Sequence, residues 1–190
     1  TTSRCIGERK TERILNTDIC LVDVPVHGEA DRANDLVDHA FEGGRQSREV
    51  LQVLWIKAAK YNISLGLFGR FRLSDGRMDL KKGGIMPIFS TARVLAIQYG
   101  VRALSTPARL LAVRDEETVN ETAIDRLVEA HRILLGAILN QQLLDIQEGI
   151  PPSSLVNPKS MPATDRDQLK WALRQVDAVQ GLLGDPISHH

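Results

Sequence analysis

The stretch DLKKGGIMPIFSTAR, residues 79–93, places an acid, two lysines and two glycines directly before a run with helical periodicity. Apolar side chains recur at helical spacing from Ile85 to Tyr99, and Gly100 follows. This pattern predicts an amphipathic helix that ends at the glycine and has the charged residues at its N-terminus. The N-terminus of this helix is therefore the first candidate for a functional site.

Two interpretations of this N-terminus are open, and the first is that it binds phosphate. Free backbone N–H groups and the positive end of the helix dipole attract an anion. Gly83 and Gly84 would let that anion approach the backbone closely. Lys81 and Lys82 would add positive charge beside it.

The second interpretation is structural. The two glycines turn the chain from a strand into the helix, and Pro87 occupies the first helical turn. Asp79 then forms an ion pair with Arg93 that holds this shape. Because lysines in loops are commonly just solvated, the residue types alone favour this interpretation.

The remaining periodicities predict a mainly α-helical bundle of four to five helices with a small antiparallel β element near the N-terminus. The only predicted extended regions are a strand at 18–26 and a hairpin within 64–80, whose turn is Asp75-Gly76. Thr106 is predicted to cap a short helix, and Thr164 with Asp167 to form a capping box for the last one. Further helices are predicted at 29–41, 47–61 and 120–147.

The predicted helix at 120–147 carries apolar residues on two sides. Leu135, Leu143 and Ile146 belong to the main apolar side, and Leu144 belongs to the second. A helix that is apolar on two sides is expected at the centre of a bundle. His131 lies within the main side, where a core histidine is expected rather than a ligand.

The charge balance excludes a chain-wide attraction to nucleic acid or to anionic membranes. The 190 residues include 24 Lys and Arg and 24 Asp and Glu, so a charged partner must meet a local patch. One such patch is the basic flank of Arg166, Lys170 and Arg174, which as a rule is solvated but suits an acidic partner protein. Cys5 and Cys20 lack the spacing of a zinc site, and no apolar run has membrane-spanning length. We therefore expect a cytoplasmic protein.

Several motifs resemble one family. The run MDLKKGGIMPIFSTARVLAIQYGV resembles the D-L-K-x-G-G-I-x-P-I-x-x-x-A-R signature of the putative nucleotidyltransferase substrate-binding domain of bacterial signal-transduction proteins. ICLVDVPVHGEADRANDLVDHA is similar to the family's strand and turn, LVEAHRILLGAILNQQL to its long helix, and DRDQLKWALRQVDAVQ to its last helix. The resemblance covers residues 18–183. Catalytic signatures such as G-x-S-x-G and the P-loop are absent from the sequence.

The resemblance implies a two-part organisation. Residues 1–28 would be the trailing strand of a nucleotidyltransferase-like domain, and residues 29–188 the helical substrate-binding domain. The preceding catalytic domain would hold Mg²⁺ and a nucleoside triphosphate on three carboxylates. Asp23 is the candidate for the third carboxylate, with a surface strand aspartate as the alternative, and the other two are absent from the sequence. The chain is expected to be the non-catalytic part, with no cofactor or metal site of its own.

The resemblance also bears on individual residues. The phosphate-binding candidates are His27, Lys81, Lys82, Gly83 and Gly84, and the structural pair is Asp79 with Arg93. His27 has turn capping as its alternative role. Val24, Leu139 and Asn140 depart from the family's pattern, which places charged residues or histidine there, whereas Gln141 or Gln142 matches it.

The expected function is substrate binding and positioning for a nucleotidyltransferase-like signal-transduction protein. The alternative is a regulatory or dimerisation module with no small-molecule site. Expected partners are the N-terminal nucleotidyltransferase domain of the same protein, a protein substrate or regulatory module, and a second copy in a homodimer. Nucleic acid and membranes are not expected partners.

Overall fold

The computed structural model describes Asp35, residues 41–43 and residues 45–183. The predicted strand at 18–26, with Asp23 and His27, lies outside the described residues, as does most of the predicted helix at 29–41. The proposed domain boundary at residue 28 also falls outside them.

Helices dominate the described part of the chain, which confirms the predicted mainly α-helical bundle with a small antiparallel sheet. The helices are α1 (Arg48–Ala59), α2 (Met86–Gln98), α3 (Thr106–Ala112), α4 (Glu121–Gln147) and α5 (Ala163–Leu183). The sheet consists of β1 (Met78–Asp79) and β2 (Leu155–Val156), with Met78 opposite Val156 and Asp79 opposite Leu155. Among the described residues, no helix combines the length and apolarity needed to cross a bilayer.

Side-chain caps fix where the helices begin. Ser47 caps α1 by accepting from the Val50 N–H, and Asn120 caps α4 by accepting from the Ala123 N–H at 3.0 Å. The cap of α3 was predicted one residue too late, because Ser105 rather than Thr106 accepts from the backbone. Thr106 is instead the first residue of the helix.

The predicted capping box of α5 is wrong. This helix begins at Ala163, so Thr164 is already inside it, and the Thr164 hydroxyl bonds with the neighbouring Asp165 carboxylate. The Arg166 N–H donates to the Pro162 carbonyl at 3.1 Å, which closes the first turn. This is the ordinary first backbone bond of the helix, and it does not replace a side-chain cap.

The predicted turn at Asp75-Gly76 is confirmed. Both residues have positive φ, 51° and 79°, and the flanking Ser74 and Arg77 exchange backbone hydrogen bonds of 2.8 and 3.0 Å. The restriction of strands to 18–26 and 64–80 is wrong, since β1 pairs with β2 in the Pro- and Ser-rich connection between α4 and α5. A strand of two residues is too short to show alternation.

The core forms where α4 packs along α5 and against the segment from β1 to α2. Its fully buried side chains include Leu80, Ile88, Leu134 and Leu173. The C-terminal half of α4 does not fit its predicted central position, because Leu135, Leu143, Leu144 and Ile146 are 39–60% exposed. Described neighbours cover only the other side of that half.

Candidate functional site

The chain passes from β1 into α2 through a π-helical turn at Lys81–Ile85, and residues 79–85 are called the lysine turn below. Asp79 stabilises the beginning of the lysine turn through two hydrogen bonds. The Asp79 carboxylate accepts from the backbone N–H of Lys82 at 3.0 Å and from the Ser154 hydroxyl at 3.1 Å. The first bond caps the turn as an N-cap side chain does, and the second ties it to the connection beside β2.

The predicted ion pair between Asp79 and Arg93 is wrong. Among the described residues, the Asp79 carboxylate pairs with Lys82 and Ser154. Arg93 lies further along α2, where its guanidinium is 5.8 Å from the centroid of the Phe89 ring. The shape of the turn is thus held by a capping carboxylate and a serine rather than by a salt bridge along the helix.

Gly83 and Gly84 are buried, and other parts of the protein, rather than a ligand, lie close to their backbone. Ser64 donates its N–H to the Gly83 carbonyl at 3.1 Å and its hydroxyl to the Asp79 carbonyl at 3.0 Å. A Cβ atom on Gly83 would lie 2.7 Å from the Ser64 nitrogen, and one on Gly84 would lie 3.1 Å from a Leu134 methyl group. Because these neighbours cover the backbone, the interpretation that a ligand approaches it at the glycines does not fit the structure.

Lys81 and Lys82, by contrast, are exposed next to each other on this buried turn. The Lys82 side chain is 85% exposed, and its ammonium group is 3.8 Å from the Asp79 carboxylate. Such an exposed pair contributes little to stability. The two ammonium groups therefore remain accessible to an anion, and of the predicted phosphate-binding residues they are the ones that the structure places on the surface.

A buried ion pair next to the lysine turn was not predicted. Arg77 donates two hydrogen bonds, of 2.8 and 2.9 Å, to the fully buried Asp145 carboxylate on α4, and one to the Leu155 carbonyl of β2. Hydrogen bonding from Arg77, assisted by Gln141, lowers the pKa of Asp145 below its ordinary value although burial opposes this. The sequence signal was weak, a glutamine and an aspartate four residues apart on an apolar helix.

Two guanidinium groups approach each other where α2 packs on α3. Arg109 is 4% exposed and donates its Nε–H to the Ala103 carbonyl at 2.8 Å. Burial, and then the charge of Arg93, lowers the pKa of Arg109. This pair also escaped prediction, because its members are 16 residues apart on separate helices.

The described residues contain no group of three or more His, Cys, Asp or Glu side chains that could hold a metal ion. Asp145 is saturated by Arg77 and Gln141, and Asp79 is engaged by Ser154 and Lys82. These carboxylates do not fit a Mg²⁺ site, which needs free oxygen ligands.

A family model described as "Putative nucleotidyltransferase substrate binding domain" matches residues 48–186, which is 139 of the 190 residues. The chain belongs to this family. Neither a curated protein nor a solved structure matches it. The matched region of the substrate-binding domain runs from the start of α1 past the described end of α5, so it includes the lysine turn and the Arg77–Asp145 pair.

The glutamines that match the family pattern hold the connection onto α4 of the substrate-binding domain. Gln141 accepts from the Asn157 N–H at 3.0 Å and donates to Asp145, and Gln142 donates to the Ser153 carbonyl at 3.1 Å. They therefore act on the same connection that supplies Ser154 to the lysine turn. The two residues that depart from the pattern, Leu139 and Asn140, are exposed.

Proposed function

We propose that this domain binds and positions the substrate of a nucleotidyltransferase-like signal-transduction protein, and that the lysine turn is the surface that meets the anionic group. One observation carries the proposal. Lys81 and Lys82 are exposed on a turn whose backbone is fixed by Ser64, Asp79 and Ser154. A positioning site requires charged groups on a rigid support, because a support that moves loses the binding energy in ordering it.

The proposal includes a longer protein, called the parent protein below. Its nucleotidyltransferase domain precedes this chain and uses Mg²⁺ and a nucleoside triphosphate, with Asp23 as the candidate for the third carboxylate. Phosphoryl and nucleotidyl transfer depend mostly on metal-held charge and on positioning. The present chain would supply positioning, and the parent protein would act in the bacterial cytoplasm.

Titration of the ¹⁵N-labelled chain with MgATP tests whether the lysine turn meets an anion. We expect saturable shifts of the amide signals of Lys81 and Lys82 and of neighbouring residues in the turn. The double variant Lys81→Ala/Lys82→Ala is expected to lose these shifts while keeping its fold, because the Lys82 backbone N–H that donates to the Asp79 carboxylate is retained.

The matched control is Lys57→Ala/Lys60→Ala, which removes the same charge from exposed positions at the end of α1. This control is expected to respond to MgATP as the wild type does. If millimolar MgATP leaves the lysine turn unperturbed, or if both double variants respond equally, direct binding at this turn is excluded.

The dimerisation alternative is favoured by an exposed apolar stripe on α4. Its members are Leu135, Leu139, Leu143 and Ile146, which are 39, 58, 60 and 60% exposed. At about 100° per residue they fall within roughly 80° of the helix circumference. Apolar residues three and four positions apart form the seam along which two helices pair. A second copy of the chain, pairing α4 with α4, is the occupant that this spacing suits.

Sedimentation velocity tests this alternative. A dimer of the wild-type chain that becomes a monomer in Leu139→Glu would support it, since a charge at the middle of the stripe opposes pairing. Leu111→Glu is the control, because Leu111 is 46% exposed on α3, away from the stripe. A wild-type chain that stays monomeric at high protein concentration would exclude the dimer.

A further inference from the structure

A groove of about 470 Å³ lies between residues 68–73, the connection after β2 and the first turns of α5, and it is called the basic groove below. Its apolar part includes Phe71, Leu73 and Pro158. Four cationic side chains line it, and none of the lining residues that the structure describes is acidic; the four are Arg70, Lys159, Arg166 and Lys170. In a chain with equal numbers of acidic and basic residues, this is a marked local excess of positive charge.

An aromatic side chain stands at the rim of the basic groove. Phe68 is 97% exposed and has φ of 60° and ψ of 22°, the left-handed conformation that residues other than glycine rarely adopt. It lies at the tip of a short hairpin closed by the pairing of Leu65 with Phe71. Strained backbone conformations cluster at active sites and ligand clamps, which makes this exposed ring a candidate for a binding surface.

The next residue, Gly69, lies close to α5. Gly69 also has positive φ, and a Cβ atom there would lie 3.0 Å from a guanidinium nitrogen of Arg174. The absence of a side chain therefore lets Arg174 of α5 lie against the hairpin. Arg174 thus adds a further cation beside the tip that carries Phe68.

In the described part of the chain, no acidic side chain pairs with the cations of the basic groove. No ion pair among the described residues involves Arg70, Lys159, Lys170 or Arg174. The Lys170 ammonium instead lies 5.6 Å from the centroid of the Phe71 ring. Arg166, Lys170 and Arg174 follow one another at four-residue intervals along α5. Like charges at this spacing repel each other and destabilise a helix, so an anion bound beside them would reduce the repulsion.

We propose that the basic groove binds a nucleoside phosphate, with the base stacked on Phe68 and the phosphates held by the surrounding cations. The volume lies in the range of small-molecule sites, roughly 300–1,000 Å³. A flat ring and several negative charges in one ligand match an exposed aromatic residue beside unpaired Lys and Arg side chains. The inference does not rest on the proposed function, because the groove shares no lining residue with the lysine turn.

Titration of the ¹⁵N-labelled chain with ATP, adenosine and inorganic triphosphate tests the proposal. We expect ATP to shift the signals of residues 68–73 and of Lys159 and Lys170, and to bind more tightly than either fragment. Phe68→Ala is expected to weaken ATP binding roughly 5- to 150-fold, the size of one stacked base, and to leave binding of inorganic triphosphate unchanged.

Lys159→Ala is expected to weaken both ATP and triphosphate, whereas Lys60→Ala removes the same charge outside the groove and is expected to bind like the wild type. Phe68 and Lys159 are exposed, so neither substitution removes a buried contact. Equal ATP affinity of Phe68→Ala and the wild type would overturn the proposal. Tighter binding of a single-stranded oligonucleotide than of ATP would overturn the assignment to a free nucleotide.

The same spectra separate this proposal from the proposed function. Shifts confined to the lysine turn would overturn the nucleotide site in the groove and leave the proposed function standing. Shifts confined to the groove that need more ATP to saturate in Phe68→Ala, but are unchanged in Lys81→Ala/Lys82→Ala, would support the groove and exclude direct binding at the lysine turn.

Discussion

Substitution of three glycines by alanine gives a graded test of how the lysine turn is packed. Gly83, Gly84 and Gly136 all lie in helical backbone, but their surroundings differ. An added Cβ would lie 2.7 Å from the Ser64 nitrogen at Gly83 and 3.1 Å from a Leu134 methyl group at Gly84. At Gly136 it would have no neighbour within 4 Å.

The structure sets the size of each effect on the free energy of unfolding. For Gly83→Ala, overpacking costs ~1–3 kcal/mol, and displacing Ser64 weakens two hydrogen bonds worth ~1 kcal/mol each. The higher helix propensity of alanine returns ~1 kcal/mol. The net loss is therefore ~2–4 kcal/mol, which lowers Tm by roughly 4–16 °C for a protein of this size.

The other two substitutions are the internal controls. In Gly84→Ala the Leu134 methyl groups must move by a few tenths of an ångström, so gain and loss nearly cancel. Gly136→Ala is expected to stabilise the chain by ~0.5–1 kcal/mol, because only the propensity changes. Urea and thermal unfolding followed by far-UV circular dichroism give the three values. A Gly83→Ala variant as stable as Gly136→Ala would refute the close packing of Ser64 on the turn.

Three further predictions concern two buried ionisable side chains and the cap of the turn. Hydrogen bonds from Arg77 lower the pKa of Asp145. The ionised Asp145 carboxylate therefore stabilises the fold fully at a pH above the ordinary aspartate pKa of 3.8, and this stabilisation is lost as the pH falls through the folded-state pKa. Urea unfolding across acidic pH should show this loss in the wild type and not in Asp145→Asn; equal slopes would contradict it. Burial lowers the pKa of His131. The free energy of unfolding should therefore also decrease as the pH falls below the ordinary histidine value of 6.5, and His131→Gln should remove this pH dependence. An unchanged slope in His131→Gln would argue against it. Double-mutant cycles should give a coupling energy of at least ~0.5 kcal/mol between Asp79 and Ser154 and a smaller one between Asp79 and Arg93. The reverse order would support the ion pair between Asp79 and Arg93.

The features predicted correctly from the sequence are local ones. Apolar periodicity located α1, α2 and α4, and the Asp75-Gly76 dipeptide located a turn that requires positive φ at two successive residues. Each depends on residues only a few positions apart. Such signals survive in a single sequence because backbone preference and side-chain spacing are local properties.

The features that were missed depend on pairing across the chain. Asp79 and Ser154 are 75 residues apart, and Arg77 and Asp145 are 68 apart. A hydrogen bond between such positions leaves no local pattern, and the sequence suggested Arg93, on the helix that follows, as the partner of Asp79. Glycines next to lysines suggested an open phosphate loop, whereas tertiary packing by Ser64 and Leu134 determines their surroundings.

Apolar periodicity predicts the structure of α4 only in part. The spacing of Leu135, Leu143 and Ile146 correctly described an apolar side of α4, yet the described structure leaves that side exposed. Periodicity shows that a face is apolar, but it does not show which element, or which other molecule, covers it.

The most direct test of the central claim is the steady-state kinetics of nucleotidyl transfer by the proposed parent protein, with Lys81→Ala/Lys82→Ala compared with Lys57→Ala/Lys60→Ala. If the lysine turn positions the substrate, the first variant should lose roughly tenfold or more in kcat/KM, mainly through a higher KM, because each charge-assisted contact contributes ~1.5–3 kcal/mol before solvent screening. The control variant should behave like the wild type. Equal kcat/KM for the two variants would contradict the assignment of substrate positioning to the lysine turn.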